Sequence, residues 1–156
     1  RDRVETVKVG GVWFWIVLWI GLISMDGLVQ TTPSELTFHL KEGSHAKTTL
    51  LMRSLVSEEL AFKVKTTNPK RYVVKPNAGP LRGGQELQIE ITMEVLDTLP
   101  EDLHHCKDKF LLQVAKILGK EKLSAGDFWS TVSPDEIKSQ KYKVHLVGDG
   151  DEMEET

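Results

Sequence analysis

The chain has 156 residues, which is enough for one domain of ordinary size, and 40% of them are hydrophobic and 28% charged. This balance is typical of a globular protein and excludes an intrinsically disordered chain. The formal net charge is −3, which excludes nucleic-acid binding driven by overall charge, so any basic site has to be local.

The N-terminal part is a strongly apolar run, residues 12–23, preceded by basic residues. It is more similar to the core of a signal peptide than to a membrane-spanning helix, which needs about 20 apolar residues. Met25 follows directly and reads like the start of a cytosolic protein, so we expect residues 1–24 to be translated upstream sequence. A genuine signal sequence or anchor is the competing interpretation. We assign residues 1–34 to a leader outside the domain.

After this leader, short segments of strand-like composition are separated by turn signals. Their apolar and polar residues alternate, which is typical of strands with one buried face. The alternation is clearest in residues 85–95, where Leu87, Ile89 and Ile91 share one face. The predicted strands are residues 35–40, 46–55, 60–66, 72–75, 85–95, 107–117 and 141–147.

Loops and one short helix connect these strands. Residues 76–80 contain two prolines and a glycine, which predicts a sharp irregular loop, and the charged residues 120–127 are also predicted to form a loop. Ser133 and Pro134 predict the N-cap and first residue of a short helix. Residues 148–156 are acidic and are predicted to be a solvated tail or the start of a linker.

This pattern predicts the fold class. About six to eight short strands, with turns roughly every 8–12 residues and almost no helix, indicate an all-β sandwich of the immunoglobulin-like kind. We place this domain at residues 35–147. The sequence has no Cys…Trp…Cys pattern, so we expect no disulfide between the sheets.

Two of the predicted strands carry lysines on the face that points to solvent. The third strand exposes Lys63 and Lys65, while the sixth exposes Lys109 and places an apolar residue, Leu111, on the same polar face. If the two faces are neighbours, they would suit an acidic peptide with a hydrophobic anchor, because charge orients such a ligand and burial stabilises it. A solvated sheet with Leu111 against a loop is the alternative interpretation.

Three sequence runs carry a resemblance to a known family. They are FKVKTTNPKRYVVKPNAG at residues 62–79, KDKFLLQ at residues 107–113, and FW followed by SPDEI at residues 128–137. The chain resembles the major sperm protein (MSP) domain, and more narrowly the VAMP-associated proteins (VAPs) of the endoplasmic reticulum, over about residues 36–146. The resemblance implies a seven-stranded immunoglobulin-like β-sandwich without a disulfide, and a protein that is not an enzyme.

The resemblance also implies a function. VAPs capture FFAT motifs, which are acidic, phenylalanine-containing peptides of lipid-transfer and trafficking proteins, at membrane contact sites on the cytosolic face of the endoplasmic reticulum. We therefore expect an adaptor that in the intact protein is held on that membrane by an anchor beyond this chain, and that can form a homodimer. The implied peptide-binding residues are Lys63, Lys65, Thr66, Thr67, Lys75, Asn77, Lys109 and Leu111, with Pro76 structural in its loop.

The chain departs from the family pattern at two of these positions. Lys75 stands where relatives have arginine, which keeps the charge and loses the planar fork that grips a carboxylate. Leu111 stands where many members have methionine, which keeps apolar volume and loses some adaptability. The alternative function within the same fold is a structural MSP-like subunit that self-assembles into filaments through its sandwich edges.

Other functions have weaker support. His104, His105 and Cys106 are adjacent, so their side chains alternate in direction, and no second cluster lies at metal-ligand spacing. Cys106, the only cysteine, would need a positioned base and a lowered pKa to act as a nucleophile. No P-loop, GxSxG or HExxH motif occurs, and the lysine rows lack interleaved aromatic residues that stack on bases. We expect no enzyme activity, metal, cofactor or nucleic acid, and we expect Trp129 to be a packing residue.

Overall fold

Two β-sheets build the domain in a computed structural model that describes residues 23–96, 98, 101 and 103–148. Residues 1–22 and the acidic tail after residue 148 lie outside the described residues, so the interpretations given for them stay predictions. The strands in the described part are β1 (Ile23–Met25), β2 (Val29–Thr32), β3 (Leu36–His39), β4 (Ala46–Ser54), β5 (Leu60–Thr66), β6 (Tyr72–Lys75), β7 (Ala78–Leu81), β8 (Glu86–Met93), β9 (Lys109–Lys116) and β10 (Lys138–Val147).

Each sheet has five strands. The first has the order β1-β2-β4-β8-β6 and the second β3-β10-β9-β5-β7. Only the β10–β3 pair is parallel among the strand pairs of the described residues; the others are antiparallel. The all-β sandwich predicted from the sequence is confirmed, and the seven predicted strands correspond to β3, β4, β5, β6, β8, β9 and β10. The three additional strands are β1, β2 and β7.

The core lies between the two sheets and follows from the period of two in the strands. In β8, Ile89, Ile91 and Met93 are fully buried while their neighbours face solvent. Phe62 of β5 and Phe110 of β9 meet them from the second sheet. Each such side chain contributes about 1.5–3 kcal/mol on burial, so this alternation fixes which face of β5 and β9 remains for binding.

The assignment of residues 23–34 to a leader is wrong. Met25 and Val29 are buried in the core, and β2 pairs with β4. The hydroxyl of Thr31 is hydrogen-bonded to the hydroxyl of Tyr142 in the opposite sheet, and both residues are buried. Strands β1 and β2 are only three and four residues long, which is too short for a clear alternation to show in the sequence.

Two predicted loops contain regular structure. Residues 78–81 form β7, which pairs with one edge of β5 and tolerates Pro80 because an edge strand leaves one row of N–H groups unpaired. The helix α1 spans Ala125–Thr131, and its N-cap Ser124 accepts a hydrogen bond from the Asp127 backbone N–H. The helix expected after Ser133 is a single 3-10 turn, Pro134–Glu136.

Helix α1 divides the outer face of the second sheet. Phe128 and Val132 pack on Ala115 and Ala61, which lie opposite each other on β9 and β5. These alanines are small, so the helix can approach the sheet closely. The half of the outer face around Ala61 and Ala115 is therefore covered, and the half farther along β5, towards Thr66, is left for the site.

Candidate functional site

The uncovered half of the second sheet carries five lysines around one leucine. Leu111 of β9 lies opposite Lys65 of β5 on one side and opposite Lys141 of β10 on the other. Two residues farther along these strands, Lys109 of β9 lies opposite Lys143 of β10 on the same outward face. We call this surface the lysine face; its outward residues are Lys63, Lys65, Lys109, Leu111, Gln113, Lys141 and Lys143.

A cleft of about 270 Å³ opens on the lysine face. Leu111 is half-buried there and provides the apolar part, while lysine ammonium groups and threonine hydroxyls provide the polar part. The cleft has a shape and chemistry that could receive one apolar side chain beside negative charges. Its lining residues are Lys65, Thr66, Thr67, Lys109, Phe110, Leu111 and Lys141.

The two threonines hold the backbone around the cleft. The Lys109 backbone N–H donates to Thr67 Oγ1 at 3.0 Å, and the Thr67 N–H donates to the Lys109 carbonyl oxygen at 3.1 Å. Thr66 Oγ1 accepts a hydrogen bond from the Asn68 N–H at 3.1 Å. The two bonds between Thr67 and Lys109 tie the end of β5 to the start of β9 and so fix the backbone position of Lys109.

The lysine face is a local positive field on a chain whose net charge is −3. Other lysines are neutralised: Lys47 pairs with Glu90 at 3.7 Å and Lys116 with Glu58 at 3.6 Å. Within the described part of the chain, the five lysines of the lysine face form no ion pair. Their charge is therefore free to attract an anionic ligand.

A second groove, which we call the side groove, adjoins the cleft. It has a volume of about 410 Å³ and shares Lys65 and Thr66 with the cleft. It lies where β5 extends past its partner β7, and the Asn77 carbonyl oxygen accepts the Val64 N–H there at 2.8 Å. The lining residues are Val64, Lys65, Thr66, Pro69, Tyr72, Val74 and Asn77.

Lys63 lies on the lysine face but lines neither cavity. Lys75 is the one sequence-predicted binding residue that lies outside both the lysine face and the two cavities. It ends β6 in the first sheet, opposite Glu90, and lines neither the cleft nor the side groove. Pro76 follows a cis peptide bond and lies in the connection that carries the chain from the first sheet to the second. The family resemblance selects Lys75 together with Asn77, and the chain passes from one sheet to the other between these two residues.

A charged network supports the start of β9. Asp108 accepts a hydrogen bond from the Tyr72 hydroxyl at 2.6 Å and pairs with Arg71 at 3.1 Å. Burial, followed by the bond to Asp108, raises the pKa of Tyr72 far above its ordinary value. This network was not predicted; its members are distant in sequence, and only the fold shows that they meet.

The chemistry of Cys106 does not favour a nucleophile. Burial raises the pKa of this half-buried thiol, which leaves less of the reactive thiolate at neutral pH. Among the residues that the structure describes, no group of three or more His, Cys, Asp or Glu side chains is arranged to hold a metal ion. Within the same residues, no helix is long and apolar enough to cross a membrane.

Sequence reasoning missed several residues that the fold brings to the site. Lys141 and Lys143 come from β10, which begins at Lys138 rather than at residue 141. Their alternation with buried Tyr142 was a signal that they face outward, but the pairing of β10 with β9 is not a local property. Trp129, which was expected to be a packing residue, packs beside Phe128, and its ring also lies 4.7 Å from the Lys63 ammonium.

Comparison with known proteins defines the class and then the family. Solved structures with a similar fold include two proteins of Caenorhabditis elegans. SSP-19, an MSP-domain protein, has a TM-score of 0.55 at 17% identity, covering 74% of this chain and 97% of its own. WR4, an MSP family member, has a TM-score of 0.53 at 22% identity, covering 79% and 99%. They show that the sandwich is of the MSP type.

The family model described as "MSP (Major sperm protein) domain" matches residues 28–136, so the chain belongs to the MSP domain family. Its relatives include vesicle-associated and VAMP-associated proteins. Vesicle-associated protein 1-3 of Arabidopsis thaliana is 39% identical over 92 residues, covering 58% of this chain and 38% of the relative. The VAMP-associated protein A of Bos taurus is 30% identical over 117 residues, covering 74% and 45%. The chain spans less than half the length of these relatives.

Proposed function

We propose that this domain is a VAP-type adaptor that captures FFAT-type peptides, acidic segments that carry phenylalanine. The observation that supports this most strongly is the cleft in which Leu111 lies between Lys65 and Lys141. An apolar cavity inside an unneutralised basic surface is complementary to an aromatic ring flanked by carboxylates. The proposal requires no catalysis.

The aromatic ring supplies most of the binding energy in this proposal. A phenylalanine side chain buries roughly 150–250 Å² when it is enclosed, which at about 25 cal/mol per Å² is worth several kcal/mol before entropy costs. Exposed ion pairs contribute about 0–1 kcal/mol each. The five lysines therefore act chiefly by steering the peptide to the face and fixing its direction.

The side groove gives the peptide a second contact. Val64 and Val74 are half-buried there beside Asn77, which suits a small apolar side chain farther along an extended peptide. Because the two cavities share Lys65 and Thr66, one continuous segment can occupy both. In this proposal, Asn77 takes part in binding as a lining residue of the side groove.

We extend the proposal to the intact protein on the strength of the family. The relatives are named as vesicle-associated or VAMP-associated proteins. We place the domain on the cytosolic face of the endoplasmic reticulum, held there by an anchor outside the described residues. Captured lipid-transfer and trafficking proteins would then be kept at membrane contact sites, and a homodimer would present two such faces.

Calorimetry with a synthetic acidic peptide that carries two phenylalanines tests the proposal. The double variant Lys109→Asp with Leu111→Asp should weaken binding by about 100-fold or more, because it reverses a charge and places a carboxylate in the cleft. Lys47→Asp with Leu51→Asp makes the same changes on the outer face of the first sheet and is the matched control. Equal affinities for both variants, with both folded by circular dichroism, would reject the site.

A further inference from the structure

Lys63 is held differently from the other lysines of the lysine face. Its ammonium lies 4.7 Å from the centre of the Trp129 ring, in the geometry of a cation–π contact. The ring is itself fixed, because it stands edge-to-face on Phe128 at 5.1 Å, and Phe128 is buried between α1 and the sheet. The contact therefore joins α1 to the end of the lysine face at which Lys63 lies.

The corner between α1, β5 and β9 is partly buried, and both Lys63 and Gln113 are half-buried there. Gln113 lies opposite Lys63 on β9, and its side-chain oxygen is buried with no hydrogen-bond partner among the described residues. Burial, followed by the neighbouring charge of Lys65, lowers the pKa of Lys63. A cation over an indole is held more strongly when water is excluded, so this contact restrains the Lys63 side chain more than an exposed one would.

We propose that Trp129 is a positioning residue for peptide binding, which holds the Lys63 ammonium in place for a carboxylate of the ligand. The inference rests on the proposed function and adds a residue from α1 to it. The indole covers one side of the ammonium, and the remaining N–H groups stay available to the peptide. Since the side chain is ordered before binding, less conformational entropy is lost when the ligand arrives.

Two substitutions separate positioning from packing. Trp129→Leu keeps apolar volume on α1 and removes the π face, while Trp129→Phe keeps a smaller π face. In the full chain, we expect Trp129→Leu to weaken binding of the acidic phenylalanine peptide by about five-fold and Trp129→Phe by about two-fold. In a Lys63→Met background, the same Trp129→Leu change should have no further effect, because the cation it positions is gone.

A spectroscopic readout is independent of any ligand. In the free protein, the ε-methylene protons of Lys63 should be shifted upfield by the indole ring current, and Trp129→Leu should remove this shift. The inference is overturned if Trp129→Leu leaves peptide affinity unchanged, or weakens it equally with and without Lys63. If the wild-type protein does not bind the peptide at all, the proposed function fails, and a missing ring-current shift would separately reject the contact.

Discussion

Lys65 and Leu111 face each other across the pairing of β5 and β9, with the lysine on one strand and the leucine on the other. Lys141 completes the row from β10. A leucine between two lysines places an apolar contact directly beside positive charge. The row gives the domain a place where an aromatic ring and negative charges can be held together.

Substitutions at Leu111 should separate apolar volume from charge. Leu111→Met keeps the volume and should leave peptide affinity within about three-fold of wild type. Leu111→Ser removes most of the apolar contact and should weaken binding by at least about ten-fold. Calorimetry measures both, and a serine variant with wild-type affinity would show that the cleft does not receive the ring.

The affinity should depend on salt through the unpaired lysines. Raising the ionic strength from about 50 to 300 mM should weaken binding, since surface charges are screened. Lys141→Gln should weaken binding by about three-fold and reduce this salt dependence. Lys116→Gln, whose lysine pairs with Glu58 at the far end of β9, is the control, and identical salt responses of the two variants would contradict the account.

Lys75 should contribute less than Lys65, although the family resemblance selects both. Lys75 lies opposite Glu90 in the other sheet, so Lys75→Gln should change peptide affinity by less than about two-fold. Lys65→Gln, at the boundary of the cleft and the side groove, should cost about five-fold. Binding assays at low salt compare the two, and the reverse order would mean that the peptide follows β6.

The buried bond between Thr31 and Tyr142 should stabilise the sandwich. Tyr142→Phe leaves the Thr31 hydroxyl buried without its partner, which costs about 1–3 kcal/mol in the free energy of unfolding. The double variant with Thr31→Val removes both hydroxyls and should recover part of that loss. Urea denaturation measures these values, and an unchanged Tyr142→Phe variant would mean that β2 is not held against the second sheet.

The same tyrosine predicts an alkaline limit to stability. Burial raises the pKa of Tyr142 to about 12, while the bond to Thr31 opposes this. The folded state therefore holds the phenolic proton more tightly than the unfolded state, whose pKa is about 10. The stabilisation is complete below pH 10 and is lost as pH rises towards 12. Denaturation at pH 9 and pH 11 should show a smaller loss in Tyr142→Phe than in wild type.

The sequence was most informative where one strand face is buried. The alternation of Leu60, Phe62 and Val64 predicted the bounds of β5, which the structure confirms. It failed for β1 and β2, because strands of three and four residues have too few positions to display a period. It also failed for α1, whose buried residue is a single phenylalanine within a polar, glycine-containing segment.

The candidate site was predictable from the sequence where its residues lie within strands. Outward-facing Lys65, Lys109 and Leu111 follow from alternation alone, and the family resemblance adds Thr66, Thr67 and Asn77. Lys141 and Trp129 depend on how β10 and α1 pack against β9 and β5. Such contacts between distant segments are properties of the fold, so no local pattern in the sequence specifies them.

An amide chemical-shift titration of the full chain with the acidic phenylalanine peptide is the most direct test of the central claim. We predict that the largest changes fall on the lysine face, at Lys65, Thr67, Lys109, Leu111 and Lys141. Changes concentrated instead on the outer face of the first sheet, around Lys47 and Thr49, would contradict it.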